Sequence, residues 1–277
     1  MNNKQKVEWY DVNRLLSHNA NFYFVLSGRG AGKTYGCKKW MINRYIKKGE
    51  QFIYIRRYKD DIKQSRLDEF FADIIANNEF PDDELTVKNK EYYINGELAG
   101  WAIALSQAAT IRSVPFPNVN NIVFDEFIIP GNGQAFIKDE AFQLFDLLST
   151  IMRFRSNVKV IMLANAVSIS NPYFRFLDIK PSIGKEFTTY TREGEDGTKM
   201  KIIIQMFNNE NIRKRAATSM LGVLTQGTNF ASYAIENEFL NSSNSFIKPR
   251  PPKLLPLFTI EGPNLKAGVW IDEDKDE

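Results

Sequence analysis

Apolar positions in this chain follow two alternating textures up to about residue 205, and each texture predicts an element. Asn21 to Leu26 is a continuous apolar and aromatic run that reads as a buried strand, followed by a glycine-rich break. Tyr35 to Lys48 has helical character and stops at Gly49. Gln51 to Arg56 is rich in β-branched and aromatic residues, a second strand. Asp60 to Ala76 carries Ile62, Leu67, Phe70, Phe71, Ile74 and Ile75 at helical spacing and predicts one helix. Leu85 to Lys88, Glu91 to Ile94 and Leu98 to Leu105 are short strand patterns, with turns at Asn89-Lys90 and Asn95-Gly96. Asn-Gly between such runs is a hairpin signal, so an antiparallel insertion is expected here.

The first texture then resumes. Asn121 to Phe124 is a short apolar strand ending in Asp125-Glu126, and a loop containing Pro130-Gly131-Asn132-Gly133 follows. Glu140 to Met152 is helical in period, and Val158 to Ala164 is apolar throughout, as parallel strands buried on both faces tend to be. Alternating strands and helices predict an α/β fold with a mostly parallel central sheet covered by helices.

Beyond residue 205 the pattern weakens. Asn208 to Leu221 looks helical and basic, with Arg213, Lys214 and Arg215, and Gly222 to Asn244 reads as a linker or lid. Lys248 to Lys253 is a basic, extended Pro-rich run, and Leu254 to Ile271 holds two short strand candidates split by Gly262-Pro263-Asn264. Two such strands are too little to close a second core. The expected division is a nucleotide-binding domain over 1–205, a linker or lid over 206–245, and the beginning of a further β-containing domain over 246–277. Residues 1 to 20 are polar, with Trp9 and Tyr10 either packed on the sheet edge or capping a nucleotide base.

Composition narrows the chemistry. The 277 residues are 43% hydrophobic and 25% charged, ordinary for a globular chain. No run of eighteen apolar residues exists and the first residues, Met1 to Glu8, are polar, so neither a membrane span nor a signal peptide is expected. One cysteine, Cys37, excludes an internal disulfide framework and reads as a core residue, and one histidine, His18, disfavours a histidine-rich metal site or a histidine triad. The net charge is only +3, and the last residues, 272–277, are mostly acidic. Residues 28 to 66, however, hold twelve Lys/Arg against three Asp/Glu. Such a segment suits a polyanion, although a solvated helix face explains Lys38, Lys39, Lys47 and Lys48 equally well.

The glycine-rich break is Ser27-Gly28-Arg29-Gly30-Ala31-Gly32-Lys33-Thr34, placed between strand and helix as a phosphate-binding P-loop must be. Lys33 is positioned to reach the β- and γ-phosphates of a nucleotide, and the Thr34 hydroxyl to ligate Mg²⁺. The match departs from the motif at its first position, where Ser27 replaces the usual glycine. Asp125 is the second expected Mg²⁺ group, and Glu126 the group that orients and deprotonates water. Asn165, at the end of the Val158 strand, would face the γ-phosphate if that strand lies between the P-loop strand and the Asp-Glu strand. Arg153 and Arg155 are candidates to reach a neighbouring subunit's nucleotide, with Phe154 expected to turn inward between them. Lys59 is a weaker trans-acting candidate. Arg29 acts either in cis on the γ-phosphate or across to the Asp-Glu side.

Four stretches, SGRGAGKTYGCKKWMINRYIKKGEQFIYIRRYK, NGELAGWAIALS, FPNVNNIVFDEF and LANAVSISNPYF, resemble the DNA-packaging ATPases, or encapsidation proteins, of phi-29-like podophages. The resemblance implies an additional-strand, catalytic-glutamate P-loop fold that hydrolyses ATP with Mg²⁺. It implies a ring, typically a pentamer, in the host cytoplasm and at the portal vertex, driving double-stranded DNA into a procapsid, with a structural RNA in close relatives. Lys33 and Thr34 match the family's P-loop, Asp125 and Glu126 its acidic pair, and Arg153 its trans-acting arginine. Residues 246–277 resemble only the beginning of the family's RNase H-like, vestigial nuclease domain. The residues alone leave two other readings open, a helicase-like DNA-dependent ATPase and a scaffolding protein gated by nucleotide.

Overall fold

A computed structural model describes residues 9–111, 114–129, 135–165, 171–182, 184–228, 255–262 and 265–271. The chain divides into two compact units, residues 1–240 and 241–277. The first unit is built on a nine-stranded sheet. Its elements are α1 (Val12–Leu16), β1 (Phe22–Ser27), α2 (Lys33–Lys48), β2 (Gln51–Arg56), α3 (Gln64–Leu67), α4 (Ala72–Ala76), β3 (Leu85–Lys88), β4 (Glu91–Ile94) and β5 (Glu97–Ala104). They continue with β6 (Val119–Asp125), α5 (Glu140–Met152), β7 (Lys159–Asn165), α6 (Pro172–Leu177), β8 (Phe187–Glu193), β9 (Lys199–Phe207), α7 (Glu210–Ala217) and α8 (Met220–Leu224).

The strand order is β3-β4-β5-β2-β6-β7-β1-β9-β8. Every neighbouring pair from β5 to β9 is parallel, and antiparallel pairs finish both edges. Strand alternation explains why the central strands are apolar on both faces. Phe24, Leu26, Ile53 and Ile55 point into a core closed by α5 and α6, while Tyr23, Val25, Phe52 and Tyr54 point into a second core under α1 to α4. The glycine at the end of α2, Gly49, sits at φ +65° and returns its N–H to the Tyr45 carbonyl, ending the helix where the sequence predicts.

The hairpin region is present, and its third strand does more than close a hairpin. β5 lies parallel to β2, with Gly100 opposite Phe52. A Cβ at position 100 would stand 2.4 Å from the Phe52 carbonyl oxygen. Gly100→Ala is therefore expected to destabilise the fold by about 1–3 kcal/mol through overpacking, read as a lower urea midpoint; an unchanged midpoint would mean the strands part freely there.

Three expectations change. The single helix over 60–76 is instead a 3₁₀ turn at Lys59–Ile62 followed by α3 and α4. The Tyr58 N–H binds the Asp61 carboxylate, and the breaks let adjacent Phe70 and Phe71 both bury against Tyr92. β8 and β9 were not foreseen: Ile202, Ile203 and Ile204 form a short apolar run between Lys201 and Gln205, and β9 fills the place beside β1. The sheet thus extends past residue 205, to Phe207. The helical segment over 208–221 is two helices, separated where the Ser219 hydroxyl caps α8.

Tyr10 packs edge-on against Phe207 at the end of β9 and its N–H binds the Ala31 carbonyl, so Tyr10 lies beside the glycine-rich loop. His18 stacks, tilted, on Phe187, and Cys37 is buried in the core with its thiol pushed up by burial. The second unit contains an antiparallel hairpin, β10 (Leu255–Gly262) and β11 (Leu265–Ile271). The 222–244 segment beyond residue 228, the Lys248–Lys253 run, the Pro130–Gly133 loop, Met1 to Glu8, Pro263-Asn264 and the acidic 272–277 end lie outside the described residues. Among the described residues, no helix is long and apolar enough to cross a membrane.

Candidate active site

Three strand ends meet above one edge of the sheet. β1 delivers Ser27 and the loop behind it, β7 delivers Asn165, and β6, one strand further, delivers Asp125 and Glu126. β7 does lie between the other two, which was the condition for placing Asn165 at the site.

The loop turns on Gly30 (φ +70°) and Gly32 (φ +86°), left-handed conformations that a glycine adopts without penalty. Lys33 opens α2 and folds its side chain back under the loop. Its ammonium donates to Ser27 Oγ at 2.6 Å, Gly28 O at 3.1 Å and Asn165 Oδ1 at 3.3 Å. Burial pushes Lys33 down to about 8, and Asp125, Cys37 and Glu126 pull against that fall, so the amine stays mostly charged at neutral pH. Ser27 therefore has a use that glycine could not supply: its buried hydroxyl anchors the lysine.

Asp125 is buried at the end of β6. Its Oδ2 accepts the Thr34 hydroxyl at 2.9 Å and the Tyr54 hydroxyl at 2.7 Å, and its Oδ1 accepts the Glu126 N–H at 3.1 Å. Burial first, then Asp125, hold the Tyr54 hydroxyl well above its ordinary range, so it stays a donor. The threonine hydroxyl and the carboxylate are hard oxygen donors already brought together, a set that fits Mg²⁺. Glu126 leaves the strand at φ +62°, half-exposed, with Arg56 Nη2 at 2.7 Å from its Oε2. Lys33, Thr34, Asp125, Glu126 and Asn165 line a cleft of about 300 Å³ together with Ala164, Tyr35 and Asp73.

The turn after Glu126 is held from below. Buried Arg57 binds Glu140 through Nε at 2.8 Å and Nη2 at 3.0 Å, and donates to the carbonyls of Glu126 and Phe127 at 2.9 Å each. Tyr173 adds its hydroxyl to the same Glu140 carboxylate. Reading the sequence missed Tyr54, Arg56, Arg57 and Glu140. The available signal was Arg56-Arg57, two cations in a row closing a strand buried on both faces.

Arg153 ends α5 at the opposite edge of the sheet, where β7 begins. Arg153 (φ +40°) and Phe154 (φ +67°) are both left-handed, at about 1–2 kcal/mol each for non-glycine residues. The expected extended Arg-Phe-Arg with Phe154 inward is thus corrected: Phe154 is fully exposed. Arg155 is what holds the bend. Its guanidinium donates to the carbonyls of Met152, Ile151, Phe116 and Pro117 and to Asn120 Oδ1, at 2.8 to 3.2 Å. All its N–H groups are engaged, which leaves none for a neighbour's nucleotide and separates it from exposed Arg153. Lys59 is exposed just past β2, on the cleft's own edge, and Arg29 is exposed within the loop.

A strand, a phosphate loop and a helix, with an acid-tipped strand across β7, define a P-loop NTPase. The profile of the podovirus DNA encapsidation protein (Gp16) family matches residues 4–276, and the chain belongs to that family. The DNA packaging proteins of Bacillus phages PZA and phi29 are each 38% identical to it over 264 residues, 95% of this chain and 76% of theirs. The N-terminal domain of the DNA packaging ATPase from bacteriophage phi29 superposes with TM-score 0.64 at 42% identity, over 72% of this chain and 96% of that one. A chain of the phi-29 viral genome packaging motor assembly gives 0.67 at 36%, over 96% and 78%.

Proposed function

We propose that this chain hydrolyses ATP to ADP and phosphate and couples each turnover to movement of double-stranded DNA into a viral procapsid. The observation that carries it is one cleft gathering Lys33, Thr34, Asp125, Glu126 and Asn165 in a chain of the encapsidation family. Lys33 places its charge on the β- and γ-phosphates, exchanging its bond to Asn165 for them. Thr34 and Asp125 would hold Mg²⁺, which when bound neutralises charge between those phosphates. Glu126 orients the attacking water and takes its proton, for which it must leave Arg56. Asn165 stands where it can sense the γ-phosphate.

Arg153 lies on the far edge from its own cleft, so it serves a neighbouring copy, and the sites are completed around a ring of copies, a pentamer by family analogy. Residues 206–245 are assigned as the linker to the hairpin-bearing segment. Grip on DNA of any sequence calls for phosphate contacts from Lys and Arg rather than base readout. The portal, the procapsid and a structural RNA are the expected partners, met in the host cytoplasm at the portal vertex.

The test is steady-state ATP turnover against protein concentration, with and without double-stranded DNA. Turnover per subunit is expected to rise with both. A rate indifferent to concentration and to DNA would overturn shared sites and coupling together.

A further inference from the structure

Phe154 is the most exposed large apolar side chain among those described, at 108% of its reference area, and it follows the arginine assigned above to a neighbour's nucleotide. Its exposure is not slack. The Arg155 bonds bind the bend to the chain at residues 116, 117, 120, 151 and 152, so Arg153 and Phe154 project from a fixed base.

The same unit carries a matching hollow. A groove of about 560 Å³ lies between α4 and the edge strand β3, lined by Phe71, Ala72, Ile75, Ala76, Leu85 and Val87. Ile75 is 59% exposed there, unusual for an isoleucine on a helix that otherwise buries Ile74. The groove adjoins the nucleotide cleft, because α4 is the wall between them: Asp73 lines the cleft while Ala72, Ile75 and Ala76 line the groove.

We infer that Phe154 of one copy seats in the Phe71–Ile75–Val87 groove of the next copy while Arg153 enters that copy's cleft. The reach is sufficient. Arg153 and Phe154 are adjacent, with Cα atoms about 3.8 Å apart, and α4, the element they must span, is about 10–12 Å across with its side chains. A knob and a hollow on different faces of one chain make a heterologous contact, which closes into a ring when the rotation allows. Asp68 on the groove's rim gives the approaching arginine end an opposite charge. The inference rests on Arg153 acting in trans, and it adds what sets that arginine's register.

Two measurements test it. Phe154→Ala, a surface change, is expected to raise the protein concentration for half-maximal ATP turnover about tenfold or more, the loss of one buried aromatic contact, with the plateau rate kept because Arg153 remains. Phe154→Cys with Ile75→Cys is expected to give a ladder of covalent multimers with a short bismaleimide, in the presence of DNA and a non-hydrolysable ATP analogue. The native Cys37 is buried and gives a silent background, and either single variant should stop at dimers. Rings that form and share sites, with no ladder and an unshifted half-maximum, would overturn the groove contact alone. Absence of concentration-dependent turnover in the unsubstituted chain would overturn it together with the trans role.

Discussion

Glu126→Gln is expected to bind ATP nearly as the unsubstituted chain does and to turn it over about 10²–10⁴-fold more slowly, the usual contribution of a positioned general base. The side chain keeps its length and loses its negative charge, and with it the capacity to take a proton and the ion pair to Arg56. In the proposed mechanism phosphate binding falls to the loop amides and Lys33, and the Thr34–Asp125 pair is untouched, so nucleotide affinity should stay within a few-fold. The left-handed backbone at Glu126 is fixed by Arg57, which holds the carbonyls of residues 126 and 127 whatever the side chain is. Phosphate release in single turnover, beside equilibrium binding of a fluorescent ATP analogue, separates the two quantities. Turnover within threefold of the unsubstituted rate would remove Glu126 from the chemistry. Loss of binding instead would assign it to the phosphate or metal site.

What could be read from the chain was the part whose geometry is local. Ser27 to Thr34 is a contiguous loop between a strand and a helix, and glycine spacing specifies it without knowledge of the rest of the fold. Asn165 was legible one step less directly, because its place depended on β7 lying between β1 and β6. What escaped reading depends on register between distant strands. Tyr54 meets Asp125 only because β2 pairs with β6 in the register Tyr54 to Val123, and no pattern within either strand specifies that offset. Arg155 read as a second trans-acting candidate behind Arg153, which lies nearer the helix end. The partners of Arg155 at 116, 117 and 120 come from a segment more than thirty residues upstream, which periodicity cannot see. β9 escaped for a different reason: its apolar stretch is brief and preceded by two lysines, and its burial comes from the neighbour it pairs with.

Arg153→Ala is expected to bind ATP and lose about 10³–10⁵ in turnover, the effect of removing an arginine finger, equal to roughly 4–7 kcal/mol of barrier. No fold defect should accompany it. The side chain is exposed and the bend belongs to Arg155, so alanine at 153 leaves the bonded base intact. The decisive form of the experiment mixes this chain with one carrying Glu126→Ala. Each is inactive alone, for opposite reasons: one lacks the donated charge and keeps the glutamate, the other the reverse. In a randomly mixed ring about one interface in four joins an intact Glu126 to an intact Arg153, and turnover should return at those interfaces. If rings form and no mixing ratio restores activity, Arg153 does not act on a neighbour. Restoration would mean that each cleft is complete only when the next subunit is docked, so hydrolysis in one copy is tied to the position of its neighbour. A motor that moves DNA by ordered firing needs that dependence, and a self-contained ATPase has no use for it.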